Sequence, residues 1–213
     1  MGLTLYFLRH GQTSLSREDT FSGSGSDPEL TAEGLQMAQA FADAYHSKSW
    51  TAIYASDSRR AIETAGPLRE RLRLPVEVRP GLGEIAYGEW DGLSKQEVER
   101  KYSDDYEKWL SDPFWHAPTG GETAEAIVQR VLKVTDEIRK KFEDGNVLIV
   151  SHKATIRIIL CELLTIDIGR FRYRLDCPVG SVSVVEFKEQ GPLLRSLADR
   201  CHLSEALRNL PGT

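Results

Sequence analysis

Thr4-Leu-Tyr-Phe-Leu-Arg-His-Gly-Gln-Thr13 opens on a short, nearly continuous apolar run and ends abruptly in an arginine, a histidine and a glycine. An apolar run without polar alternation suits a strand buried on both faces, as in parallel sheets covered by helices. Arg9 and His10 then fall just beyond its C-terminal end. In open α/β sheets that edge is where ligands bind.

The pattern recurs twice. Ala52-Ile-Tyr-Ala55 is a second strand candidate, followed by Ser56-Asp-Ser58 and a helix with Ala61, Ala65, Leu68 and Leu72 on one face and Arg60 in its first turn. Positive charge there opposes the helix dipole, so a stabilising role is disfavoured for at least one of Arg59 and Arg60. Asn146-Val-Leu-Ile-Val150 is a third buried strand and stops at Ser151-His152. Arg9, His10, Arg60 and His152 are therefore expected at one rim of a sheet. Two imidazoles and two guanidiniums meeting there would favour a tetrahedral dianion, because forked arginine donors match phosphate oxygens.

The remaining segments support the same architecture. Ser14 to Pro28, with Ser22-Gly-Ser-Gly-Ser26 at its centre, reads as a long surface loop. It carries neither GxxxxGK[ST] nor GxGxxG after a strand, which sets aside a nucleotide-binding loop. Thr31 can cap a helix bearing Leu35, Ala38, Ala42 and Tyr45. Val76 to Arg79 is a weak strand, and Val98, Tyr102, Tyr106 and Trp109 lie at helical spacing within 94–111. Ile127, Val131, Val134 and Ile138 mark an amphipathic helix, and a further helix follows His152 with Ile156, Ile159, Leu160, Leu163 and Leu164. Ser181 to Phe187 and Leu193 to Leu197 read as a hairpin-like pair. The expected fold is α/β, a mostly parallel central sheet flanked by helices on both faces. A small helical excursion around 94–120 and an antiparallel edge near the C-terminus complete it. No linker divides the chain, so residues 1–213 are expected to form one domain.

Leu8-Arg-His-Gly-Gln-Thr13 resembles the signature loop of the histidine phosphatase superfamily, which also contains the phosphoglycerate mutases. The resemblance extends over nearly the whole chain through Phe21-Ser-Gly23, Leu30-Thr-x-x-Gly34, Ser56-x-x-x-Arg60-Ala-x-x-Thr64, Glu84-x-x-Tyr-Gly-Glu-Trp-Asp-Gly92, Gly121-Glu122 and Val150-Ser-His152. One RHG tripeptide would carry little weight; the set in order carries a great deal. The resemblance implies a phosphoglycerate mutase-like fold and a phosphomonoesterase that passes through a phosphohistidine on His10. Its attacking nitrogen is kept unprotonated by a backbone carbonyl on the other. Arg9, Arg60 and His152 would surround the equatorial oxygens. Glu84 would protonate the leaving oxygen and then activate water, a double duty that a nonpolar setting of Ile85, Tyr87 and Trp90 would favour.

Gly11, Ser16, Ser22, Gly23 and Lys153 are secondary candidates for substrate contacts through amides or hydroxyls. Two departures from the family pattern fall among them: Leu15-Ser16 stands where many members have Trp-Asn, and Lys153-Ala154 where many have glycines. Arg59, Lys153 and Arg157 are also candidates for holding a second anionic group such as a carboxylate.

Only residues 85–151 separate Glu84 from His152, and no long basic C-terminal tail is expected to close over the site. Hydrolysis of a small phosphorylated metabolite, a sugar phosphate, sugar-acid phosphate or phosphoserine-like ester, is therefore expected over mutase-type phosphoryl transfer. A non-catalytic phosphate-binding module is the rival from another class.

Bulk properties narrow the setting. The net charge of −5 gives no sign of a nucleic-acid partner. No apolar run approaches the roughly 20 residues of a membrane span. Met1 to Gly11 reads as a first strand and not a signal peptide. Cys161, Cys177 and Cys201 are scattered, with no CxxC pair, so disulfides are not expected and a reducing cytoplasm fits. Without HxxxH or HExxH spacing, neither a metal nor a cofactor is expected. A possible homodimer is the one assembly to name, since dimers are common among small enzymes. His46, His116 and His202 read as ordinary surface or core residues. Trp90, Tyr102, Tyr106, Trp109, Phe114 and Trp115 read as a local core and not a sugar-stacking platform.

Overall fold

The computed structural model describes residues 2–212. Its six strands are β1 (Leu3–Arg9), β2 (Trp50–Ala55), β3 (Val76–Val78), β4 (Gly145–Ser151), β5 (Val182–Lys188) and β6 (Gly191–Asp199), in the order β3-β2-β4-β1-β5-β6. The first four in that order are parallel, and β5 and β6 add an antiparallel edge beside β1. The mixed α/β sheet expected from the alternating segments is thus what the chain forms.

Strand periodicity divides the core. Leu5, Phe7, Val147 and Ile149 face α6 (Ala124–Lys141) and α7 (Lys153–Leu163), whose Ile127, Val131, Ile156 and Ile159 join them in one cluster. Their neighbours along the strands, Tyr6, Leu8, Leu148 and Val150, pack with Phe41 of α2 (Ala32–Tyr45) and Ala61, Ala65 and Leu68 of α3 (Arg59–Leu72). Alternate residues serve opposite layers, which is why the strands read as continuous apolar runs. Among the described residues no helix is long and apolar enough to cross a membrane.

Three local expectations are corrected. The span 94–111 is two helices, α4 (Lys95–Lys101) and α5 (Ser103–Ser111), because Tyr102 at φ −133° and ψ 38° leaves the helical region. The 14–28 loop contains a short α1 (Ser14–Arg17), nucleated by a capping box between Thr13 and Ser16. Thr31 does cap α2 by accepting from the Gly34 amide, but Leu35 is 49% exposed while Gly34, Met37, Ala38, Phe41 and Ala42 are buried. The expected stripe holds at Ala38 and Ala42, but the buried face is rotated towards Gly34, Met37 and Phe41 by less than the 100° of one residue.

Gly34 explains that rotation. A Cβ on it would lie 2.2 Å from the Gln12 carbonyl oxygen, and one on Gly11 would lie 2.4 Å from the Gly34 carbonyl oxygen. The N-terminus of α2 and the loop after β1 therefore touch main chain to main chain. Beyond the parallel strands, Phe21, Trp90, Val98, Tyr106 and Trp109 form a separate aromatic cluster beneath α4 and α5. This is the local core expected of the aromatic group, except that Trp115 is exposed and Phe114 packs against the core beside α6 instead.

Candidate active site

Register brings the site together. Leu8 pairs with Val150 and Ala55 pairs with Val150, so β1, β4 and β2 end side by side. The residues that follow each strand are delivered to the same rim: His10 after β1, His152 after β4, and Ser56 with Arg60 after β2.

His10 is buried. Its Nδ1–H donates to the Gly11 carbonyl at 2.8 Å, which leaves Nε2 as the bare nitrogen of the neutral ring. Burial, with Arg60 and Arg9 adding like charge, holds its pKa well below the ordinary 6.5. The backbone is pinned on both sides: the His10 amide donates to the Ser151 carbonyl at 3.0 Å, and its carbonyl accepts from the Gly180 amide at 3.2 Å.

His152 lies beside it, ring centroids 5.1 Å apart. Its Nε2 meets the hydroxyls of Ser56 at 2.7 Å and Ser58 at 3.3 Å, and its buried Nδ1 has no partner among the described residues. Burial first, then Arg60, His10 and Arg9, lowers its pKa well below 6.5. The two imidazoles are thus neutral, and the positive charge at this rim resides on guanidiniums.

Arg9 donates from Nη1 to the Cys177 carbonyl at 2.7 Å, and burial depresses its pKa to about 10. Arg60, 1% exposed, donates to the carbonyls of Ser26 at 2.9 Å and Gly23 at 3.2 Å and lies 3.6 Å from Asp27. Both Nε atoms are buried without a partner among the described residues. Leaving such a donor unmatched costs about 1–3 kcal/mol, more on a charged group. Orphaned guanidinium donors around a bare imidazole nitrogen are what a tetrahedral oxyanion would satisfy.

Glu84 reaches the same cleft. Its carboxylate accepts from the amides of Ile85 at 3.0 Å, Ala154 at 3.2 Å and Thr155 at 3.2 Å, and from the Thr155 hydroxyl at 3.2 Å. The apolar setting expected for it is therefore not what it meets. Donors from the first turn of α7 face the carboxylate, while Trp90 belongs to the aromatic cluster and Ile85 to the core against α6. Arg130 fixes the segment before it, donating to the carbonyls of Gly81 at 2.7 Å and Gly83 at 2.8 Å.

The secondary candidates divide. The Gly11 amide is taken by the Thr64 hydroxyl at 3.1 Å, and the Gly23 amide by the Asp91 carboxylate at 2.7 Å, so neither is available for substrate. Each glycine instead offers its carbonyl, to His10 and to Arg60. Ser16, Ser22 and Lys153 do line the cleft, although Ser16 also bonds the Thr13 backbone and Ser22 the Ser26 hydroxyl. Arg59 is committed elsewhere, paired with Glu29 and Glu63 at 2.7 Å each, which removes it as a holder of a second anion. His46 and His116 are exposed, and His202 packs edge-on against Phe41 and Tyr45.

Sequence reasoning missed several residues. Ser56 and Ser58 could have been found, because hydroxyls directly after a strand at the ligand edge are available to orient a neighbouring imidazole. Arg172 and Phe171, from α8 (Phe171–Arg174), had no such signal: they reach the cleft only through tertiary packing. The cleft encloses about 130 Å³, several times the roughly 10–15 Å³ that one water requires. Among the described residues no group of three or more His, Cys, Asp or Glu side chains is arranged to hold a metal.

Residues 5–200 match the family model described as the histidine phosphatase superfamily, branch 1. The chain is 29% identical over 201 residues to phosphoserine phosphatase 1 of Hydrogenobacter thermophilus, covering 94% of each. It is 27% identical to the adenosylcobalamin/alpha-ribazole phosphatase of Escherichia coli, over 93% of this chain and 97% of that one. The vanadate-bound structure of mycobacterial glucosyl-3-phosphoglycerate phosphatase superposes with a TM-score of 0.84 at 25% identity, covering 92% and 99% of the two chains. With a match of that extent and a rim built of these side chains, the protein belongs to branch 1 of the histidine phosphatase superfamily and is a phosphatase.

Proposed function

We propose that the chain, acting as one domain, hydrolyses a small phosphorylated metabolite through a phosphohistidine on His10. The observation that carries this reading is the Nδ1–H bond to Gly11, which presents a bare Nε2 among guanidiniums with unmatched donors. In the first step Nε2 forms a bond to phosphorus as the ester P–O bond breaks, and Glu84 gives its proton to the leaving oxygen. In the second, water attacks the phosphorus, the N–P bond breaks, and Glu84 takes the water's proton. Arg9, Arg60 and His152 hold the equatorial oxygens throughout. The relatives are named for phosphoserine, for glucosyl-3-phosphoglycerate, and for alpha-ribazole together with the larger adenosylcobalamin; the first three are small metabolites, which supports that substrate class here.

The test is chemical trapping. Rapid acid-free quenching with a radiolabelled phosphoester is expected to leave a phosphoramidate on the protein, absent in His10→Ala, with turnover lowered by roughly 10⁴-fold or more. Retained turnover in His10→Ala would overturn the assignment of the nucleophile. Dominant phosphoglycerate interconversion without free phosphate would overturn hydrolysis, and activity lost in EDTA and restored by zinc would overturn metal independence.

A further inference from the structure

The cleft carries more positive charge than one phosphoryl group needs. Lys153 and Arg157 sit one turn apart on α7, and Arg172 comes from α8; all three line the cleft beside Arg9 and His10. Neither the Lys153 ammonium nor the Arg172 guanidinium makes a hydrogen bond or ion pair with a described residue. Arg172 instead lies over the Trp109 ring, 3.8 Å from its centroid. Arg157 has one long ion pair, 3.5 Å to Asp176, an aspartate 76% exposed whose same oxygen accepts from the Cys177 amide at 2.8 Å. The Arg157 Nε is buried and has no partner among the described residues.

The acids of the cleft do not balance these cations. Asp19 and Glu84 are the two acids lining it, against Arg9, Lys95, Lys153, Arg157 and Arg172; Asp19 is paired with Lys95 at 2.6 Å, and Glu84 acts on Arg9 and Arg60. Burial, and after it the charges of Arg9 and Arg157, push the Lys153 pKa down to about 8. Helix stability does not account for the arrangement, since Lys153 is the first residue of α7, where positive charge opposes the dipole. An anion from outside the protein would relieve each of these costs at once.

We infer that Lys153, Arg157 and Arg172 form a second anion subsite, and that the physiological substrate carries a second negative group, a carboxylate or another phosphate, near its scissile phosphate. This rests on the reading of His10 as phosphoryl acceptor, with Arg9 and Arg60 serving the reacting phosphate. Arg172 is held by an aromatic face and the largely buried Arg157 by Asp176, so the subsite is shaped before substrate arrives and selects by position as well as charge.

The experiment compares matched esters by kcat/KM. 3-Phosphoglycerate is set against glycerol 3-phosphate, which differs only in replacing the carboxylate by a hydroxymethyl group. Fructose 1,6-bisphosphate is set against fructose 6-phosphate, and p-nitrophenyl phosphate monitors the reaction itself. In at least one pair the ester with the second anionic group is expected to be preferred by about tenfold or more, the scale of one charge-assisted hydrogen bond. That preference should fall towards unity in Lys153→Met and Arg157→Met, chiefly through KM, and which pair shows it distinguishes carboxylate from phosphate. Turnover of p-nitrophenyl phosphate with no preference in either pair would overturn the subsite alone. A preference unchanged in both variants would overturn its assignment to these residues. Loss of turnover on every ester in the wild-type protein would overturn the phosphatase reading and the subsite with it.

Discussion

The floor and the wall of the cleft are both cationic, yet they are built in different ways. At the floor, Arg9, His10 and Arg60 are each tied to a backbone carbonyl, those of Cys177, Gly11 and Gly23 with Ser26. At the wall, Lys153 and Arg172 have no such tether, and Arg172 rests on the face of Trp109. Main-chain anchoring makes the floor's geometry a property of the sheet and its strand ends. The wall depends on which side chains two helices present. Chemistry common to a family belongs on the first kind of scaffold, and choice of substrate belongs on the second.

The sharpest way to break this contrast is at the floor. Glu84→Gln keeps a side chain that accepts hydrogen bonds but removes the exchangeable proton. It is expected to lower kcat on alkyl phosphates by up to about 10⁴-fold, ~5.5 kcal/mol of transition-state stabilisation. The loss should be much smaller on p-nitrophenyl phosphate, whose leaving group needs little protonation. Equal losses on both esters would show that Glu84 positions and does not transfer protons.

At the wall, Trp109→Ala removes a side chain 1% exposed that packs with Phe21, Tyr87, Trp90 and Tyr106 and carries Arg172. Chemical denaturation should show about 3–5 kcal/mol of lost stability, the usual cost of truncating a buried tryptophan. A change under about 1 kcal/mol would mean that the aromatic cluster does not support the wall.

How far this contrast can be seen in the sequence follows from the same physics. The floor was legible because β1, β2 and β4 are apolar on both faces and stop at polar residues, so strand ends could be placed to within two residues and the catalytic candidates with them. What a strand end does not reveal is which backbone groups are already spoken for, hence the misassigned amides of Gly11 and Gly23. The setting of Glu84 was misread for a related reason: its nearest sequence neighbours are apolar, but its carboxylate meets α7, some seventy positions away. Arg172 was illegible because a four-residue helix leaves no periodic trace and the contact with Trp109 joins distant segments. The helix break at Tyr102 was hidden by aromatic spacing that both short helices share.

The smallest effect per residue comes through pH, about 2 kcal/mol for one imidazole between pH 6.5 and 5. His10 and His152 titrate well below 6.5 in the folded chain and His202 at about 4, so the unfolded chain binds more protons as pH falls below 6.5. Stability from these groups is fully present above 6.5 and is lost downwards from there towards their folded values. Each contributes up to about 1.4 kcal/mol per pH unit within its window. Urea titrations from pH 7 to pH 5 should show the decline, shallower in His152→Asn; a flat profile would mean that the imidazoles are not held neutral by burial.

The abutment of Gly11 against Gly34 has a practical side for anyone wishing to redirect this enzyme. A methyl group at either position would have to occupy space already filled by a carbonyl oxygen, so saturation libraries there should yield mostly inactive clones. Lys153, Arg157 and Arg172 lie outside that interlock, so libraries at these positions are expected to keep a larger share of active clones. Evolvability in this molecule is thus partitioned in advance: one set of positions is closed to exploration, and the set that lines the wall of the cleft is open.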